Sequence, residues 1–87
     1  MTTKELAAYF KKHLVPDKFY KIGGSRKNRI CMEKHKNVWD VYFDDNKKHI
    51  GTLHFADEAS ACAGMKNEIR KMMEAFYGLT WADSAAI

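Results

Sequence analysis

Val38-Trp39-Asp40-Val41-Tyr42-Phe43 is a run rich in β-branched and aromatic side chains, bounded by turn formers, and it reads as a strand. Its two sides differ. Trp39, Val41 and Phe43 alternate onto one side, large and apolar enough to floor a core. Val38, Asp40 and Tyr42 fall on the other, where a carboxylate and a phenol belong against water or a partner.

The neighbouring stretches follow from this strand. Upstream, Arg29 to Lys34 form a second strand, with Ile30 and Met32 facing inward and Arg29, Cys31 and Glu33 outward. The connection through His35-Lys36-Asn37 is short enough to demand an antiparallel hairpin. Downstream, Asp44 to His49 make a polar tip with Asn/Asp turn chemistry. The chain then returns as Ile50 to Phe55, with Gly51, Leu53 and Phe55 sharing a face. Phe19 to Ile22 are a further short strand, closed by Gly23-Gly24-Ser25.

Both flanks are helical. Thr2-Thr3-Lys4-Glu5 fits a capping box, and Leu6, Phe10 and Leu14 repeat at helical spacing until Pro16 ends the element. Asp57 is an N-cap, and Cys62, Met65, Ile69, Met72, Met73 and Phe76 trace an apolar stripe up to a Gly78 stop. The expected fold is α+β, an antiparallel three- to four-stranded meander with the N-terminal and C-terminal helices on one face. Its bounds as a single domain are helix roughly 3–14, sheet roughly 19–55, helix roughly 57–77 and tail 79–87. Trp81 in that tail either closes the core or is left for a partner.

The chain has 87 residues, 46% of them apolar, with two cysteines and a net charge of +4. This composition is globular, and two cysteines are no disulfide framework. Without an apolar leader or a long apolar run, the expected setting is soluble and cytoplasmic, with no membrane partner. The basic surplus favours anionic partners.

No chemistry assembles from the residues. His13, His35, His49 and His54 lack metal-ligand spacing. Cys31 and Cys62 fall where burial is expected, unlike the electropositive, part-exposed setting of a reactive thiolate. Gly23-Gly24-Ser25-Arg26-Lys27 opens no helix that would cradle a phosphate. The expectation is therefore no catalytic residue, no metal and no cofactor. A nucleic-acid site is the alternative: Arg26, Lys27, Arg29, Lys34 and Lys36 gather on the first hairpin and Tyr42 is placed to stack on a base. Against it, Glu33, Asp40, Asp44 and Asp45 would repel phosphates.

Four segments, in order, resemble small bacterial immunity proteins of polymorphic-toxin and contact-dependent growth inhibition systems. They are Tyr20-Lys21-Ile22-Gly23-Gly24, Ile30-Cys31-Met32-Glu33-Lys34, Trp39-Asp40-Val41-Tyr42-Phe43, and Phe55 through Cys62. The resemblance implies a cytoplasmic protein without catalytic residues that neutralises a cognate toxin C-terminal domain, often a nuclease. Partner contacts vary freely in such families and none carries over by motif. The contact set expected here comes from the open sheet face and its loops: Arg29, Glu33, Asp40, Tyr42, Asp44, Lys47 and His54. A basic chain departs from the acidic character common in inhibitors of cationic nucleases. That departure leaves three options: an acidic toxin surface, a site away from the toxin's active centre, or carboxylates concentrated around Asp40, Asp44 and Asp45.

Overall fold

A computed structural model describes residues 1–78; Trp81 and the rest of the tail lie outside the described residues. Helix α1 (Thr3–Lys12) opens on the expected capping box, the Thr2 hydroxyl accepting from the Glu5 amide and the Glu5 carboxylate from the Thr2 amide. It stops before Leu14. The Leu14 amide bonds to the Lys11 carbonyl and the Val15 amide to the Phe10 carbonyl, a Schellman ending. That ending puts Leu14 at φ 58 and turns Val15 back into the core.

A 3₁₀ turn (Asp17–Phe19) leads into β1 (Tyr20–Ile22), followed by β2 (Arg29–His35), β3 (Val38–Asp45), β4 (Lys48–Phe55) and α2 (Glu58–Tyr77). The sheet runs β1-β2-β3-β4. β2, β3 and β4 pair antiparallel as expected. β1 does not: it lies parallel to β2, with Tyr20 beside Ile30 and Ile22 beside Met32. The sheet is thus mixed, where a purely antiparallel meander was expected, and Phe19 belongs to the 3₁₀ turn. Parallel neighbours normally need a long crossover. Here the segment 23–28 doubles back because Gly23 (φ 85), Gly24 (φ 143) and Asn28 (φ 59) adopt left-handed conformations. Both glycine amides donate to the Met32 carbonyl, at 2.9 and 3.2 Å, which clamps the start of the return.

The β3–β4 connection is tighter than a six-residue tip. Asn46 and Lys47 alone make the turn, both with positive φ, a pairing that suits the twist of a two-residue hairpin. Val41 pairs with Leu53 but Phe43 with Ile50, so Gly51 and Thr52 stand together opposite Tyr42. With Gly51 at φ 64 this is a glycine-led β-bulge. It moves Ile50, rather than Gly51, onto the face of Leu53 and Phe55.

Both helices cover the Trp39–Val41–Phe43 side, as expected. Leu6 and Phe10 of α1 and Cys62, Met65 and Ile69 of α2 are fully buried with Ile30, Met32 and Val41 of the sheet. Glu58, in the first turn of α2, accepts the Thr3 amide at 2.8 Å, tying the two helix starts together. Among the described residues no helix is long and apolar enough to cross a membrane.

Two substitutions test this packing in opposite directions. Gly64 of α2 lies against the Phe55 ring, and a Cβ there would overlap it. Alanine normally favours a helix interior, yet Gly64→Ala is expected to destabilise by about 1–3 kcal/mol through overpacking. Combining it with Phe55→Leu should recover part of the loss in urea titration. Leu14 is 83% exposed in a left-handed conformation that costs a non-glycine residue about 1–2 kcal/mol. Leu14→Gly should therefore raise the unfolding free energy by about 0.5–1 kcal/mol after the flexibility of glycine is counted.

Candidate protein-binding face

The side of the sheet away from the helices carries its polar residues in register. Cys31 stands beside Tyr42 and Glu33 beside Asp40 across β2–β3; Asp40 faces His54 and Asp44 faces His49 across β3–β4. Alternation along three antiparallel strands brings this set together from the segment 31–54.

The centre of the face is closed rather than open. Asp44 is 5% exposed and Tyr42 2%, which corrects the expectation that both meet solvent. The cause is the 23–28 segment, which folds back over them. The Ser25 hydroxyl donates to the Asp44 carboxylate, and the Asn28 amide donates to the Asp44 carbonyl at 2.7 Å. From the other side the Lys47 amide donates to Asp44 Oδ1 at 2.7 Å. The Ser25 hydroxyl and this amide hold the Asp44 carboxyl below the ordinary carboxylate range.

Tyr42 is covered by the His49 imidazole, stacked on its ring at 3.8 Å between centroids. Its hydroxyl donates to the Glu33 carboxylate. Burial first, and that hydrogen bond second, push the phenol well above its usual range, so it stays protonated. Cys31 beneath is fixed too: its sulfur accepts from the Arg26 amide, and the thiol lies 3.4 Å from the Arg26 and Arg29 carbonyls as a donor. Burial raises the thiol pKa despite the Arg26 contact, the opposite of what a nucleophile needs. Cys62 is a second buried free thiol, raised by burial in the same way.

The other expected contact residues are dispersed. Asp40 is half-buried, and since a carboxylate only accepts, His54 Nδ1–H donates to it at 2.6 Å while the imidazole stays exposed. Glu33 has His35 Nε2 3.7 Å away. Lys47 is exposed in the turn. Arg29 leaves the face altogether, its guanidinium donating to the Asp17 carbonyl at 2.8 Å. The accessible set is therefore Asp40, His54, Glu33, His35, His49 and Lys47. Ser25, His35 and His49 were missed by sequence reasoning. Strand alternation from Glu33 reaches His35 and hairpin pairing reaches His49, but nothing in Gly23-Gly24-Ser25 says where the segment folds.

Among the described residues no group of three or more His, Cys, Asp or Glu side chains is placed to hold a metal ion. No family model matches this chain, and neither the curated proteins nor the solved structures contain a match to it.

The Asp44 anchor predicts an acid-sensitive stability. A carboxyl whose folded pKa lies below its ordinary value of 3.8 contributes stability above that value and loses it as pH falls through the folded pKa. Asp57, lowered by the Ser60 amide it caps, acts in the same direction. Unfolding free energy should hold steady above about pH 5 and fall below pH 3.8. Asp44→Asn should be less stable near neutrality and show a flatter acid limb in denaturant titrations at stepped pH.

Proposed function

We propose that this protein is an immunity protein that binds a cognate toxin domain, often a nuclease in systems of this kind, and neutralises it by a non-catalytic protein–protein contact in the cytoplasm of the cell it protects. The observation that carries the reading is the polar sheet face. Its proton-transfer groups are spent on one another: Tyr42 on Glu33, Asp44 on Ser25 and Lys47, Cys31 on the 23–28 backbone. What remains at the surface is a preformed, hydrogen-bonded platform edged by Asp40–His54, His35, His49 and Lys47. Preorganisation of that kind lowers the ordering penalty of binding. The four segments that resemble immunity proteins are the β1 end, β2, β3 and the β4–α2 junction, the framework of this platform.

The charge distribution narrows the partner. Asp44 is buried and satisfied and Asp40 is half-buried and paired with His54, so only Asp45 of that acidic trio is fully exposed. Local carboxylates mimicking a nucleic acid are thereby disfavoured. A mixed or acidic toxin surface, met away from a cationic active centre, fits the chain better.

A nucleic-acid-binding domain on the first hairpin is the competing reading, and the geometry divides its cations. Arg26 and Lys27 lie before β2 and Lys36 beyond it, about 20 Å apart along a strand of this length. Lys34 sits on the helix side, its ammonium 5.5 Å from the Trp39 ring centre. Tyr42 is not available to stack on a base.

The test is co-purification with the C-terminal domain of a secreted protein encoded beside this gene, followed by growth rescue. A stable complex and rescue are expected. Asp40→Lys should weaken the complex about tenfold, some 1.4 kcal/mol, while leaving the fold intact. Salt-sensitive RNA or DNA binding abolished by Arg26→Glu with Lys27→Glu, and no complex, would hand the case to the competing reading.

A further inference from the structure

On the helix side, away from the polar face, a cleft of about 470 Å³ opens between the 3₁₀ turn, the start of β2 and the last turns of α2. That volume lies in the range of small-molecule sites, about 300–1,000 Å³. Its floor and walls are Phe19, Phe43, Met72 and Phe76. Phe76 is a wall rather than core: it stacks on Phe19 at 5.6 Å between centroids, yet remains 67% exposed. An apolar ring left open to water beside three other apolar side chains favours an apolar occupant.

The rim has one sign of charge. Lys18, Lys27 and Arg29 line the same cleft. None of the three forms an ion pair with a carboxylate among the described residues. Arg29 spends one nitrogen on the Asp17 backbone carbonyl, and the Asp17 carboxylate is approached instead by the Tyr20 hydroxyl. Three cations held around an apolar pocket repel one another, and an anion placed among them relieves that repulsion. A guanidinium also offers a carboxylate a planar pair of donors.

We propose that this cleft is a binding site for a small amphipathic carboxylate, its apolar body lying between Phe19, Phe43, Met72 and Phe76 and its carboxylate among Lys18, Lys27 and Arg29. The proposal is independent of the toxin-binding reading, which uses the opposite side of the sheet.

The probes are decanoate, decanol and decyltrimethylammonium, titrated into the full chain by calorimetry and by ¹H–¹³C spectra of the aromatic side chains. Decanoate should bind one-to-one and saturably, shifting the Phe19, Phe43 and Phe76 signals, with the two uncharged or cationic analogues at least tenfold weaker. Lys27→Gln, which removes an exposed charge with no described partner, should weaken decanoate about tenfold without changing thermal stability. Phe76→Ala should weaken it about tenfold with only a small fall in melting temperature from the lost stack on Phe19. No saturable decanoate binding would overturn the proposal. So would equal affinity for decanol, or binding that either substitution leaves unchanged.

Discussion

Asp44 is the joint on which the polar half of this protein turns. Its backbone carbonyl and both carboxylate oxygens receive three hydrogen bonds from two places: two from the 23–28 segment and one from the Asn46-Lys47 turn. A carboxylate taken out of water must be satisfied, and satisfying this one requires the glycine-led segment to fold back over the sheet. That folding permits β1 to lie parallel to β2 across a short connection. The same cover buries Tyr42 and Cys31. Half of a face that would otherwise be solvated becomes a second, hydrogen-bonded interior.

The result is a sheet with two unlike closures. On one side, α1 and α2 exclude water with Leu6, Phe10, Met65 and Ile69, a non-directional packing held by burial. On the other, a short segment closes the centre with directional bonds and leaves the perimeter wet. The first closure supplies most of the folding free energy, since burial scales with apolar area. The second fixes the positions of side chains at the perimeter.

Much of this was legible from residue patterns. The helices declared themselves through Thr2 and Asp57 as caps and through apolar spacing; the β2–β3–β4 order followed from short connections; Cys62, Met65 and Ile69 fell on the buried stripe. What escaped had a common cause. Period-two alternation places Tyr42 and Asp44 correctly on the second face, but alternation is silent on whether a loop later covers that face. The parallel β1 likewise depends on left-handed backbone at Gly23, Gly24 and Asn28 acting together, and a glycine pair marks a turn without giving its direction. Arg29 illustrates a third limit, for a long side chain at a strand end can leave the face its Cβ occupies.

The bulge at Gly51 has a consequence for how copies of this chain meet. β4 is an edge strand, with Ile50 and Leu53 exposed and a row of backbone groups facing outward. Such an edge is a template for strand addition between molecules. Gly51 and Thr52 break its regular hydrogen-bond spacing and sharpen its twist, and Lys47 and Lys48 place two like charges where a second edge would approach. The edge of β4 is thereby a poorer template for a second strand, and a single glycine in left-handed conformation is central to that guard.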